Sequence, residues 1–442
     1  MSKRIQVGII GAGPAGLFAA EKLTQADIAV ALFNRDIKPG GMAEYGIYPE
    51  KHQLKDGLRK QFERILSYEQ VHYFGNTCVG EDQSLTIPRL LEWGFSAVLI
   101  CCGAQGTKWL GIPGENLEGV IHSKNLVFHY NRLPPYCTAP IKIGKQAVVV
   151  GAGNVMADVT RYLLGLPQME KIHVCVRRGP AEVKFTAKEL ESIIGGMDMD
   201  ALEHEFERVK PVMVPLGQDP EVEKAVYLKA FGKAGKTGLK PLIEMHFLVS
   251  PVKIEGDEQG GVNTVVLEEN TLVLSGEKTS ARGLGTHRSL AADTVVFAIG
   301  DRVEERLGVP VSGNEYRHVE NPRYPVEGQS YEVEAPGSGQ AWKGVFVAGW
   351  SRLASSGLVG NAKKDGVNGA EAVEQYLREE RPGGGLLLDE LESRLSSLPD
   401  PVVQQRHLAR LLAEERKRAG GGPIEYAKFT TNAEMLQVMG LQ

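Results

Sequence analysis

The sequence predicts an α/β fold of two parallel-sheet domains, the second inserted into the first. Three observations carry that expectation. The apolar run Val7–Ile10 passes into a helix through Gly11, Gly13 and Gly16 at the start of the chain. The same strand–glycine–helix pattern restarts at Lys145, with Gly151 and Gly153 at its turn. A third strand–turn–helix, Gly344 to Leu377, lacks the full glycine set and so completes the first domain instead of founding another. The expected division is 1–105 with 301–442, and 106–300 between them.

The first motif is G-x-G-x-x-G, the signature of a dinucleotide-binding, Rossmann-like turn. Gly11 permits the tight turn, Gly13 lets the backbone approach a pyrophosphate, and Gly16 lets the helix lie close on the strand. Alone the motif is weak; directly after a strand, and repeated, it is strong. The second strand, Ile28–Phe33, ends in Asn34-Arg35-Asp36. An acid there usually takes the ribose hydroxyls. Asn34 stands at that place and its amide can serve, with Asp36 as the alternative.

Gly40-Gly41 allows a turn with positive φ. From Leu54, the residues Leu58, Phe62, Ile65 and Leu66 form an apolar helical stripe, with Lys55, Arg59, Lys60 and Arg64 on the other side. These cations read as a solvated face or as a docking surface for an acidic partner. Ser96–Cys102 is a further buried strand.

In the second motif Met156 takes the third small position, unless Ala157 serves. The next strand, Lys171–Val176, ends in Arg177-Arg178 where an acid would favour NAD. Paired guanidiniums suit the 2′-phosphate of NADP. FLVSPVKI, TVVLEEN and TLVLSGE read as antiparallel strands covering one side of this domain, and TVVFAIGD returns to a strand. Residues 311–343 read as a loop region and 381–385 as a hinge. The helical tail, with its basic run Glu415–Arg418, reads as packing or partner contact.

A formal charge of −5 over 442 residues argues against nucleic acid as the main partner. No apolar run of about 18 residues suggests a membrane span, and no leader is expected, so the chain reads as cytoplasmic. Its five cysteines form no C-x-x-C. That disfavours a disulfide-exchanging site, structural zinc or a bound cluster, and no metal is expected.

The motifs IIGAGPAG, YGIYPEKHQLK, CCGAQGTKWLGIPGENLEGV, GAGNVMADVTRYLL, VRRGPAEVKFTAKEL and VAGWSRLASSGLVGNAKKD run through nearly the whole chain. In this order they resemble the adrenodoxin-reductase type of ferredoxin–NADP reductase, among the glutathione-reductase-like flavoproteins. PGGMAEYGI is closer to the related small subunit of glutamate synthase. The resemblance implies electron flow from NADPH through FAD to a ferredoxin-type iron–sulfur protein. An electron-input subunit of a larger oxidoreductase, or a flavin-bound scaffold without turnover, are the other readings.

Carried over by position, the resemblance places FAD on Gly11, Gly13, Pro14, Ala15, Gly16, Asn34 and Gly41, and on Gly349, Trp350, Gly357, Leu358 and Val359. It places NADP on Gly151, Gly153, Asn154 and Val155, with its 2′-phosphate on Arg177 and Arg178. Trp350 and Gly357 match residues that shield the flavin and contact nicotinamide. Glu189 falls in the nicotinamide region, acting in positioning or proton balance. Lys51 holds the aligned place of a family histidine and His52 follows it, so His52 reads either as a proton relay or as a surface histidine.

Overall fold

The computed structural model describes residues 4–234, 240, 242–276, 278–354, 359–420 and 427–441. The chain divides into two compact units, residues 1–107, 128–138 and 301–442 forming one and residues 108–127 and 139–300 the other. This is an α/β fold of two dinucleotide-type domains, one set within the sequence of the other. Residues 128–138, expected in the inserted domain, belong to the first unit. There Phe128 and Leu133 bury their side chains against Tyr45.

The first unit is built on a seven-stranded sheet. Its order is Glu332–Glu334, Ala341–Val347, Ala97–Ile100, Ile5–Ile10, Ala29–Asn34, Val71–Gly75, Val403–Gln404. The five inner strands are parallel and the two edge strands antiparallel. The inner strands are apolar on both faces because both faces are covered, as parallel sheets require. The Ile5–Ile10 strand lies at the centre, with Ala29–Asn34 on one side and Ala97–Ile100 on the other. The chain order therefore reverses about this strand, and ligands of such sheets bind beyond its carboxyl end.

Part of the expected loop 311–343 is regular, since Ala341–Val347 joins the sheet beside Ala97–Ile100. Residues 381–385 are not a free hinge either. Gly385 accepts the Arg4 guanidinium, and Ile5 and Leu386 exchange backbone hydrogen bonds at 2.8 and 3.0 Å. The tail packs into the first core through Val403, Leu408, Leu411, Phe429, Met435 and Met439.

The second unit holds a five-stranded parallel sheet, ordered Val120–His122, Thr294–Phe297, Gln146–Val150, Lys171–Cys175, Ile243–His246. A three-stranded antiparallel sheet, Val249–Gly256, Val262–Ser275 and Lys278–Ala291, packs on it. TVVLEEN and TLVLSGE, expected as two strands, form one long strand. A register shift between Glu268 and Asn270 absorbs the join.

Candidate functional site

In the first unit the Pro14–Gln25 helix begins directly after the glycine turn, with Gly13 as its N-cap and no side chain capping it. Its leading N–H groups are therefore available to an anion. Gly11 has φ +104°, and a Cβ there would lie 2.6 Å from the Cys101 carbonyl oxygen. A Cβ on Gly16 would meet the Gly11 carbonyl oxygen at 2.0 Å, so the helix reaches the strand only because that atom is missing. Gly41, at φ +48°, faces Gly13 across the mouth of the turn. Gly40 N–H donates to the Ala12 carbonyl at 2.7 Å and locks the two loops together.

These residues floor a cleft whose lining includes Gly11, Gly13, Pro14, Ala15 and Gly41. Asn34, Arg35 and Asp36 stand at one end, and Trp350, Val359 and Ala362 also line it. Gly357 and Leu358 lie outside the described residues. Gly349 has φ +69°, and a Cβ on it would strike Ala15 Cβ at 2.6 Å, which is why the Gly349–Ser351 turn can approach the first helix. Asp365, on the Val359–Glu380 helix, accepts the Gly349 N–H at 2.6 Å and pairs with the buried Arg352 guanidinium. Ser351 Oγ accepts the Gly103 N–H at 2.8 Å, so the turn is held from both sides. The sequence reading assigned no role to Asp365; it is visible only as the last residue of KKD.

Asn34 is placed at the cleft, but its amide is engaged within the protein. Its Oδ1 accepts the Ala12 N–H at 3.0 Å, while Nδ2 donates to the carbonyls of Asp36 and Lys38 at 2.8 and 3.0 Å. A carboxylate could not make the two donated bonds. Asn34 therefore braces the turn, and the polar groups left at the strand tip are Arg35 and Asp36, whose side chains pair at 3.1 Å. Cys101 and Cys102 also line this cleft, and burial pushes both thiols up, so neither is a thiolate nucleophile at neutral pH.

Lys51 and His52 open the His52–Leu66 helix, and neither is among the described residues lining the cleft. Of the basic stripe expected on this helix, Lys55 and Arg59 are not solvated. Lys55 is buried, donating to Asn131 Oδ1 at 2.8 Å and to the Ile47 carbonyl. Arg59 grips both oxygens of buried Glu44 at 2.8 and 2.9 Å. Lys428, from the tail, reaches the same carboxylate at 2.9 Å. Burial alone would raise Glu44, but Lys428, Lys38 and Arg59 together hold it well below the usual carboxylate range. The sequence shows the charges but not that Glu44 draws Arg59 inward and Asn131 draws Lys55. Lys60 and Arg64 remain exposed.

In the second unit the Asn154–Leu164 helix again starts without a side-chain cap, after Gly153. Gly151 has φ +150°, and a Cβ on it would lie 2.4 Å from the Ala298 carbonyl oxygen. A Cβ on Gly153 would meet open space, leaving room for a diphosphate. Met156 and Ala157 are both fully buried beneath the helix. Asn154 Oδ1 accepts the Thr186 N–H at 2.9 Å, tying this turn to the Ala187–Glu191 helix, where Glu189 sits in the first turn. Val155 is exposed beside it. Beyond Cys175 the backbone carbonyls of Arg177 and Arg178 accept from Asn270 Nδ2 and Leu248 N–H, both at 3.0 Å. With its backbone pinned, Arg177 is exposed and Arg178 half-buried.

Each unit thus fits a dinucleotide on its own geometry: an uncapped helix start, glycines packed against backbone, and a polar strand tip. The tips differ in charge, mixed in the first and doubly cationic in the second.

The pyridine nucleotide-disulphide oxidoreductase family matches residues 5–196. NADPH-ferredoxin reductase FprA of Mycobacterium leprae (strain TN) is 27% identical over 469 aligned positions, covering 98% of each chain. The mitochondrial NADPH:adrenodoxin oxidoreductase of Arabidopsis thaliana is 29% identical, over 81% of this chain and 79% of its own. The solved structure of Mycobacterium tuberculosis FprA in complex with NADPH superposes with a TM-score of 0.82 at 25% identity, over 99% of this chain and 100% of that one. In sequence and in fold the chain is similar to the NADPH-ferredoxin and NADPH:adrenodoxin reductases, and its residues 5–196 match the pyridine nucleotide-disulphide oxidoreductase family.

Proposed function

We propose that this chain is an NADPH-dependent oxidoreductase that holds FAD in its first unit, binds NADPH in its second, and passes electrons to a ferredoxin-type iron–sulfur protein. One observation carries the reading: two uncapped glycine turns in one chain, only the second followed by paired arginines, one exposed and one half-buried. FAD, when bound, supplies the exchange between hydride and single-electron chemistry.

The protein's part is binding and orientation. Gly11, Gly13, Pro14, Ala15 and Gly16 present the helix start to the FAD diphosphate, with Gly41 closing the opposite wall. Asn34 keeps that turn in shape, and Arg35 with Asp36 forms the adenosine end. Gly349, Trp350 and Val359 would form the wall that holds the flavin, and Asp365 fixes that wall through the Gly349 N–H. Gly151, Gly153, Asn154 and Val155 take the NADPH diphosphate, and Arg177 and Arg178 its 2′-phosphate. Glu189, held near the second turn through Thr186, acts in positioning. Lys51 or His52, at the start of the His52–Leu66 helix, takes the place of the family histidine as the proton relay.

The acceptor is a small iron–sulfur protein, and of the basic stripe from Lys51 to Arg64 the exposed Lys60 and Arg64 can dock it, whereas Lys55 and Arg59 turn inward. A cytoplasmic location belongs to the same proposal, supported by five cysteines that are all free thiols. Among the described residues no helix is long and apolar enough to cross a membrane.

Anaerobic titration of the purified protein with NADPH and with NADH tests the cofactor assignment. Bleaching of the flavin band at far lower NADPH than NADH is expected. Equal response to the two would overturn the role of the arginines, and a colourless protein that takes up no FAD would overturn the whole reading.

A further inference from the structure

A second polar cluster lies in the second unit, on the face of the parallel sheet that the antiparallel strands cover. The pairing of Lys171–Cys175 with Ile243–His246 sets His173 beside Glu244 and Cys175 beside His246. Residues two apart share a face, so His173, Glu244 and His246 leave the sheet on one side. His173 Nδ1 stands 2.9 Å from His246 Nε2 and 3.3 Å from Glu244 Oε2. His246 Nε2 stands 3.8 Å from the same oxygen. These separations bracket the roughly 3.3 Å between neighbouring ligands around a tetrahedral zinc ion with bonds of about 2.0–2.1 Å.

Both histidines are buried, and Glu244 reaches partly into solvent. Burial keeps His173 neutral at pH 7 and, with Arg288 beside it, lowers His246 to about 3. Hydrogen bonds alone leave the trio mismatched. If His246 Nε2 carries the proton and donates to His173, then the His173 lone pair faces the carboxylate oxygen at 3.3 Å, acceptor against acceptor. If His173 Nδ1 carries it, His246 must be protonated on Nδ1, which faces the Arg288 guanidinium at 3.4 Å, donor against donor. A cation removes the first conflict by taking all three lone pairs. With a cation on Nε2 the His246 proton stays on Nδ1 beside Arg288, a contact present with or without the metal, and Arg288 has a carboxylate of its own, Glu269, at 2.9 Å. Lys171 holds the remaining Glu244 oxygen and orients the carboxylate, as an outer-shell partner does. The cationic neighbours Lys171, Arg208 and Arg288 are matched by Glu205, Glu244 and Glu269.

We propose that His173 Nδ1, His246 Nε2 and Glu244 Oε2 form a site for one divalent transition cation of the zinc class, with water completing the tetrahedron. Two imidazoles and one carboxylate suit zinc or cobalt far better than calcium or magnesium, which prefer all-oxygen shells. The cation joins the edge strand of the sheet to the strand that leads into Arg177 and Arg178, so its part is to stabilise that region and not to carry electrons.

The test uses the full-length, FAD-loaded protein, stripped with a chelator and titrated with Zn²⁺, with bound metal counted after gel filtration. One zinc per chain is expected. His246→Gln and Glu244→Gln should each weaken binding by at least about tenfold, since even outer-shell changes cost 10–100-fold. X-ray absorption at the zinc edge of the wild type should show imidazole scattering from two histidines, a readout independent of whether either variant folds. Failure of the wild type to retain zinc, equal retention by both variants, or a spectrum without imidazole scattering would each overturn the site.

Discussion

Asp365 Oδ2 accepts the backbone N–H of Gly349 at 2.6 Å, tying a long helix to the turn that walls the cleft. Its other oxygen accepts the Tyr331 hydroxyl at 3.1 Å and the Arg352 guanidinium. Arg352 in turn lies 4.4 Å from the centre of the Tyr331 ring. The pair is buried, so its value lies in geometry: each charge is costly in that place without the other. Asp365→Asn should lower unfolding stability by about 3 kcal/mol, because Arg352 keeps its charge and loses its counter-ion. Urea denaturation measures this, and FAD content of the purified variant should fall with it.

Asn34 yields a prediction opposite to the usual rule for such turns. Placing an acid there should not strengthen the flavin site. In Asn34→Asp the carboxylate faces the carbonyls of Asp36 and Lys38, to which the amide donated. A loss of about 1–3 kcal/mol in stability is expected, together with weaker retention of FAD. A variant as stable and as yellow as the wild type would show that Asn34 is not the brace described.

Lys55 gives the protein a pH dependence above neutrality. Burial, reinforced by repulsion from Lys428, lowers it to about 7. In the unfolded chain it titrates near about 10.4, so between these values the unfolded state binds more protons and stability rises with pH. From pH 7 to 8 the gain is at most about 1.4 kcal/mol, the value of one pKa unit. Lys428, lowered to about 8 mainly by burial, extends the trend upward. Lys55→Met should flatten the curve between pH 7 and 8, measured by urea midpoints at fixed ionic strength.

Replacing Arg177 and Arg178 together by Ala should raise KM for NADPH and leave NADH nearly untouched. A hydrogen bond between charged groups contributes about 1.5–3 kcal/mol, so a shift of about tenfold or more is expected. Steady-state assays with both nucleotides read it directly.

How much of this was legible in the sequence follows from the range of the interactions. Gly11, Gly13 and Gly16 act on neighbours in the same turn, so spacing alone identified them, and the same holds for Gly151 and Gly153. Arg177 and Arg178 were legible because a strand delivers them to a known place. Asp365 was not, because its partners Gly349, Tyr331 and Arg352 converge only in the folded unit. Lys55 and Arg59 had the right period for a solvated face, yet Glu44 and Asn131 lie across the fold and pull them in. Asn34 was found at the right place with the wrong partner, since its amide answers carbonyls that only the turned backbone brings near. The long strand Val262–Ser275 was split in two because polar residues at its centre read as a turn, where a register shift keeps the strand continuous.

The most direct test of the electron path is cytochrome c reduction by the purified FAD-loaded protein, with NADPH as donor, with and without a ferredoxin. Strong dependence on ferredoxin, and preference for NADPH over NADH, is the result the account predicts. Rapid NADPH oxidation that no ferredoxin accelerates would contradict it and remove the iron–sulfur acceptor from the proposed path.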